Sequence, residues 1–220
     1  MQLLAEGARR LDILLTDDQL NAFQVYYEAL VTWNERVNLT RITDYEAVQV
    51  RHLLDSLSCL LPIRRALARP VGPGLASAQV IDVGSGAGFP GVALKIALPG
   101  LRLTLLEATG KKVEFLRFLV GRLELTDVAV VHARAEELGQ DAAYRERYAL
   151  ALARAVADMA TLAELTLPLV RIGGLVVAQK GENPAAEVEA ADISITNPVG
   201  SGSSKAICSP SAVVPGLPVF

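Results

Sequence analysis

Hydrophobic positions along this 220-residue chain follow two different periods. Up to about residue 65 they recur every three or four residues. Leu20, Phe23, Tyr26, Tyr27, Leu30 and Val31 make one helical stripe, and Val50, Leu53, Leu54, Leu57, Leu60 and Leu61 make a second. Thr16 with Gln19 has the spacing of a capping box before the first stripe, and Thr43 with Glu46 has it before the second, which Pro62 is placed to end. From Gln79 onward the pattern becomes short apolar runs separated by helical ones. It predicts strands over 80–83, 101–107, 128–132, 149–153 and 175–179, and helices over 90–98, 111–123 and 158–169. Strands that alternate with helices and are apolar on both faces belong to a parallel sheet covered on two sides, hence an α/β fold whose ligands bind at the carboxyl ends of the strands.

This divides the chain into a helical region over 1–70 that packs on the core, an α/β core over 78–192 and a tail over 193–220, with VGPGLASA at 71–78 as a linker. The tail has turn residues every few positions and no clear period, so no regular element is expected there.

Composition narrows the functional classes. At 51% hydrophobic and 20% charged the chain is an ordinary globular protein. Its longest apolar stretch, 148–170, is interrupted by Arg154, Asp158 and Glu164, and Glu6 and Asp12 give the N-terminus the wrong profile for a secretory signal. No membrane association and a cytoplasmic location are the expectation. Cys59 and Cys208 lie far apart, and His52 and His132 are isolated, so neither a disulfide framework nor a metal site is expected. Lys and Arg number 8 against 9 acidic residues over 1–80, 12 against 11 over 81–180 and 1 against 4 over the last forty. The first 180 residues are thus neutral, which leaves room for a local basic cleft but not for a uniformly cationic surface.

The chemistry concentrates in Asp82-Val83-Gly84-Ser85-Gly86-Ala87-Gly88-Phe89-Pro90-Gly91, between the first strand and the helix that follows. Backbone N–H groups and a helix start meet a ligand at that point of an α/β sheet. A dinucleotide fingerprint would need glycine where Phe89 stands, which ranks a nicotinamide-dependent oxidoreductase low and favours a different nucleotide-like ligand. Glu107 ends the second strand 25 residues after Asp82, where a carboxylate accepts ribose hydroxyls, and Asp82 and Glu107 are expected to flank one cleft.

These residues resemble a known family. DVGSGAGFPG, LLEATGKKVEFLRFL, RAE at 134–136, ARAV at 153–156 and QKG at 179–181, with WNERVNLTRI at 33–42 and RHLLDSL at 51–57 upstream, look like the RsmG (GidB) family of bacterial 16S rRNA guanine-N7 methyltransferases. The resemblance covers about residues 20 to 190. It implies a Rossmann-like class I S-adenosylmethionine-dependent methyltransferase with an N-terminal helical extension, acting on guanine 527 of 16S rRNA or of the small ribosomal subunit as a monomer. It also implies that S-adenosylmethionine lies across Gly84, Gly86 and Phe89, that Glu107, Ala108 and Thr109 meet its ribose and adenine side, that Ala135 and Glu136 close over the adenine, and that Arg154 stands at the end of the fourth strand.

Guanine N7 has a lone pair and no proton to lose, so no general base is required, and no catalytic residue is assigned. His52 and Asp55, three apart on one helical face, read as an acid/base pair or, in preference, as a polar pair where the helices pack on the sheet. Lys111, Lys112, Arg117, Arg134, Arg154 and Lys180 are candidate RNA contacts. Trp33 and Tyr26 have core spacing, with base stacking as the alternative. After Ala191 the resemblance ends: the family continues with further strands and a basic segment, whereas this tail has Lys205 as its one basic residue. An exposed edge on the fifth strand is expected, and a catalytically impaired RNA- or ribosome-binding module is the alternative function.

Overall fold

A computed structural model describes residues 1–67, 78–154, 158–180 and 205–210. Its centre is a sheet of β1 (Gln79–Val83), β2 (Arg102–Glu107), β3 (Val128–His132), β4 (Tyr148–Arg154), β5 (Val170–Lys180) and β6 (Lys205–Pro210), all parallel in the order β3-β2-β1-β4-β5-β6. Strand order reverses at β1, which has β2 on one side and β4 on the other, so the loops leaving β1 and β4 part and leave a crevice at their carboxyl ends.

Successive side chains on a strand point to opposite faces. Val80, Leu103, Leu105, Leu150, Leu152, Leu175 and Val177 therefore join one apolar cluster, and Ile81, Val83, Leu106, Ala151 and Val176 join another. The larger cluster is covered by α1 (Gln2–Arg10), α2 (Asp17–Asn34), a helical run from Tyr45 to Leu67, α6 (Gly91–Ala97) and α7 (Gly110–Arg122). That run consists of α3 (Tyr45–Val48), a π-helical turn (Gln49–Leu54), α4 (Asp55–Ser58) and α5 (Leu60–Leu67). The smaller cluster lies under α8 (Ala135–Leu138) and the 3-10 turn Leu167–Leu169 that continues α9 (Met159–Thr166). The expected parallel α/β core, buried on both faces, is what forms.

The first capping box is present. Thr16 Oγ1 accepts from the Gln19 N–H at 3.2 Å, Thr16 N–H donates to Gln19 Oε1 at 2.9 Å, and Gln19 Nε2 also donates to the Ile96 and Ala97 carbonyls, tying α2 to the end of α6.

Three expectations are corrected. Asp44, not Thr43, caps the second helical run, accepting from the Glu46 and Ala47 N–H groups at 3.1 and 2.9 Å; a carboxylate one residue later is the stronger acceptor at a helix start. Pro62 does not end that run but sits in the first turn of α5, where its missing N–H had no helical partner to lose. Within the tail, Lys205–Pro210 forms β6 beside β5, Leu175 opposite Lys205 through Lys180 opposite Pro210, so β5 is not an exposed edge. The run KAICSP is too short to announce itself by period; a neighbouring strand with free backbone groups recruits it. The 71–78 linker and the rest of the tail lie outside the described residues, apart from Ala78.

Candidate cofactor cleft

The loop after β1 folds back over the end of β2. Gly84 and Ser85 donate their N–H groups to the Leu106 carbonyl at 2.9 and 3.0 Å, and Ser85 Oγ donates to the Asp82 carbonyl at 2.8 Å. Gly84, Gly86 and Gly88 all have left-handed φ, +70°, +57° and +92°, which L side chains rarely adopt. The glycines are of two kinds. At Gly86 the nearest atom to an added Cβ is the Gly84 oxygen at 3.8 Å, so its outer side is open. At Gly88 a Cβ would lie 2.7 Å from Tyr26 Oη, and at Gly91 it would lie 2.6 Å from Asp82 Oδ2, so these two are glycine because helix and strand press against them.

Asp82 does not flank the cleft as expected. It is fully buried beneath the loop, where Oδ2 accepts from the Gly91 N–H at 2.9 Å and Oδ1 has no hydrogen-bond partner among the described residues. Burial above all pushes its carboxyl up to about 7, against the Gly91 hydrogen bond and Arg154, which lower it. Its work is to hold the start of α6 against β1.

Glu107 is where the sequence placed it, at the end of β2. Its Oε2 accepts from the Gly86 N–H at 2.9 Å and its Oε1 from the Thr109 N–H at 2.8 Å, so one carboxylate joins the loops after β1 and β2. Ala108 and Thr109 are exposed beside it, and His132 at the end of β3 lies 3.1 Å from the Ala108 carbonyl through Nε2. Ala135, half-buried, and Glu136, exposed, open α8 at the same end of the sheet.

Arg154, the last residue of β4, turns back under the helices. Its guanidinium lies 3.5 Å from Asp55 Oδ2, 3.4 Å from His52 Nδ1 and 4.8 Å from the centre of the Phe89 ring. Phe89 is itself buried, stacked on His52 at 4.8 Å and on Tyr26 at 5.0 Å, and Tyr26 Oη donates to the Ala87 carbonyl at 2.6 Å. The buried polar pair His52 and Asp55 thus holds the helices to the sheet, which is the preferred reading of that spacing. Desolvation first, and Arg154 second, push the His52 imidazole down to about 4.

The profile of the family described as rRNA small subunit methyltransferase G matches residues 19–207. A protein named ribosomal RNA small subunit methyltransferase G from Chloroflexus aggregans is 50% identical over 190 residues, which cover 86% of this chain and 76% of that one. Proteins of the same name from Roseiflexus sp. and Dehalococcoides mccartyi are each 47% identical, covering 89% and 82% of this chain and 79% and 72% of theirs. This chain belongs to the rRNA small subunit methyltransferase G family. Among solved structures, a predicted O-methyltransferase from Agrobacterium tumefaciens is similar with a TM-score of 0.45 at 14% identity, covering 66% of this chain and 83% of that one. The family match passes Ala191, where the sequence reading ended the resemblance, and reaches into β6.

Sequence reasoning missed three residues that the family motifs contain. Thr40, in WNERVNLTRI, has Oγ1 2.7 Å from His52 Nε2, and Asn34 Oδ1 accepts the Leu39 and Thr40 N–H groups at 2.9 Å each. Gln179, at the end of β5 opposite Arg154, donates through Nε2 to the Asp55 carbonyl at 2.7 Å. Only their place inside conspicuous motifs marked them.

Of the candidate RNA contacts, Lys111, Arg117 and Arg134 are exposed, Lys112 is half-buried, and Arg154 is turned inward. Lys180 is the last residue of β5. Tyr26 is wholly core, whereas Trp33 is half-buried against Phe115 and Phe118, with Arg36 5.3 Å over its ring. No helix of the described residues is long and apolar enough to cross a membrane, and no group of three His, Cys, Asp or Glu among them is placed to hold a metal.

Proposed function

We infer that this chain transfers the methyl group of S-adenosylmethionine to N7 of guanine 527 in small-subunit 16S rRNA, acting as a cytoplasmic monomer on the rRNA or the assembled subunit. That it is an S-adenosylmethionine-dependent rRNA methyltransferase follows from its family. One observation carries the site: Gly86, left-handed and open on its outer side, lies hydrogen-bonded to the Glu107 carboxylate at the strand-order reversal. A ligand with a ribose fits there, since main chain approaches closely at Gly86 and each Glu107 oxygen retains a lone pair beyond the N–H it already accepts.

S-adenosylmethionine supplies a methyl group activated on a sulfonium. Gly84, Gly86 and Phe89 would line its length, Glu107 would accept from the ribose hydroxyls, Ala108 and Thr109 would bound the adenine side, Ala135 and Glu136 would close over the adenine, and Arg154 would border the cleft from β4. Bound there, the cofactor would supply that methyl group to N7, the N7–carbon bond forming as the carbon–sulfur bond breaks and the positive charge passing to the guanine ring. N7 gives up no proton, so the chain's contribution is orientation and exclusion of water rather than acid–base chemistry. Its buried imidazole agrees with that, being engaged on both nitrogens.

The test has two parts. Calorimetry with S-adenosylhomocysteine reads the cofactor site, and mass spectrometry of 16S rRNA, after incubation with small subunits lacking the modification, reads 7-methylguanosine. Absence of S-adenosylhomocysteine binding would overturn the site. Binding without 7-methylguanosine would leave the impaired RNA-binding module as the better reading.

A further inference from the structure

Asn34, Thr40, His52 and Arg154 come from three separate stretches of chain and form one hydrogen-bonded line that ends over Phe89. Asn34 Oδ1 fixes the loop after α2 through the Leu39 and Thr40 N–H groups, and Thr40 Oγ1 accepts from the Ile42 N–H at 3.0 Å. The same hydroxyl oxygen lies 2.7 Å from His52 Nε2, and the other ring nitrogen, Nδ1, lies 3.4 Å from Arg154 Nη2. A guanidinium has donors and no acceptor, so Nδ1 must present its lone pair to Arg154. The one proton of a neutral imidazole is then on Nε2, donated to Thr40 Oγ1. Arg154, which can only donate, thus selects the tautomer, and Thr40 Oγ1, a hydroxyl oxygen able to donate or accept, takes the Nε2 proton.

The rest of the surroundings points the same way. The guanidinium that faces His52 from β4 is itself paired with the Asp55 carboxylate, one turn along the helical run that carries His52. Phe89 from the glycine loop stacks on the ring at an interplanar angle of 22°, and Tyr26 from α2 stacks on Phe89 with its hydroxyl donating to the Ala87 carbonyl. A π-helical turn carries His52, which sets its ring apart from the regular spacing of the helices on either side.

We propose that His52 is a positioning residue for methyl transfer: held between Thr40 and Arg154 as the Nε2–H tautomer, it sets the Arg154 guanidinium over Phe89 at the cofactor cleft. This rests on Arg154 bordering S-adenosylmethionine as inferred above. His52 touches neither cofactor nor guanine, and it acts through Arg154.

Three variants and one spectrum test it. His52→Phe keeps a ring to stack on Phe89 but offers no acceptor, and weakens S-adenosylhomocysteine binding at least tenfold by calorimetry. His52→Gln, whose Oε1 accepts from Arg154, weakens it distinctly less. Thr40→Val, close in shape without the hydroxyl, weakens it about threefold. In imidazole-15N-labelled protein carrying His132→Gln, so that one histidine remains, wild-type Thr40 gives a protonated Nε2 and a bare Nδ1 at pH 7, and Thr40→Val gives a mixture. A protonated Nδ1 in that spectrum, or binding by His52→Phe within twofold of the unsubstituted chain, overturns the proposal. Should His52→Phe fail to fold, Thr40→Val and the spectrum decide. If the unsubstituted chain fails to bind S-adenosylhomocysteine, the cofactor reading itself has failed; if it binds and every variant binds equally, only the role of His52 has.

Discussion

Arg154 at the end of β4 holds Asp55 of the N-terminal helical layer at 3.5 Å, with both side chains mostly buried. The pair sits where the sheet's carboxyl edge, the glycine loop and the helices meet, and Gln179 from the neighbouring strand braces the same turn through the Asp55 carbonyl. A contact there ties the helical layer to the sheet beside the proposed cofactor cleft.

Arg154→Ala leaves Asp55 without its ion partner in a largely dry setting. Removing one member of a fully buried pair costs about 3 to 5 kcal/mol, and the 18% and 10% exposure of these side chains brings the expected loss to about 2 kcal/mol. Denaturant unfolding measures it. Methyl transfer should fall further than bulk rRNA binding measured on filters. A proportionate fall in both would mean that Arg154 acts through stability alone, with no part in positioning the reactants.

Gly86 and Gly88 separate cofactor binding from folding. Gly88→Ala drives a Cβ to 2.7 Å from Tyr26 Oη and 2.8 Å from Val92, so the melting temperature should drop by several degrees. Gly86→Ala has space and costs only the left-handed strain, about 1 kcal/mol, while it places a methyl group where the ligand must approach. Its S-adenosylhomocysteine affinity should fall more than its melting temperature, the reverse of Gly88→Ala. Equal affinity in Gly86→Ala and the unsubstituted chain would remove the loop from the site.

Glu107→Gln keeps the size of the side chain but replaces one acceptor with an NH2 donor. It can therefore serve only one of the Gly86 and Thr109 N–H groups that the carboxylate now satisfies together. Cofactor binding should weaken by about 1 to 3 kcal/mol in calorimetry, since charge-assisted bonds are lost. Unchanged binding would mean that the ribose lies elsewhere.

Two buried groups give opposite pH dependences. Asp82, raised to about 7 by burial, stays protonated in the folded chain while the unfolded chain releases that proton near 4, so stability from this group is lost as pH rises from about 4 to 7. His52, lowered to about 4, stays neutral in the folded chain while the unfolded chain takes up a proton below about 6.5, so stability is lost as pH falls from about 6.5 to 4. Between pH 5 and 6.5 the two slopes, each at most about 1.4 kcal/mol per pH unit, oppose one another. Thermal melts should show Asp82→Asn gaining stability with rising pH in that window and His52→Gln losing it. Identical slopes in both variants would show that these groups do not govern the window.

Deleting residues 192–220 removes β6 and leaves the backbone groups of β5 without that neighbour. The expected result is a lower melting temperature and concentration-dependent association in light scattering. Affinity for S-adenosylhomocysteine should persist, because Gly84 through Arg154 precede the deletion. A monomeric truncated chain of unchanged stability would make β6 dispensable.

The sequence by itself determined the elements and their kind. Period and the absence of alternation in the strands are local records of which faces are buried, and they sufficed for a parallel sheet, its helices, the first capping box and a glycine loop whose spacing departs from a dinucleotide fingerprint. The place of Glu107 at the end of β2 was legible because the apolar run of the strand stops at it. Tertiary structure decided which distant groups meet. His52 and Arg154 are 102 residues apart, and no period along either helix or strand records that this guanidinium and that imidazole meet. Asp82 shows the same limit: an acid before a glycine loop reads alike whether it faces the ligand or the interior, and only the packing of Gly91 against it turns it inward. Strand β6 is the third case, for six residues with no period of their own become a strand when β5 offers backbone partners, and that offer is made in space rather than along the chain.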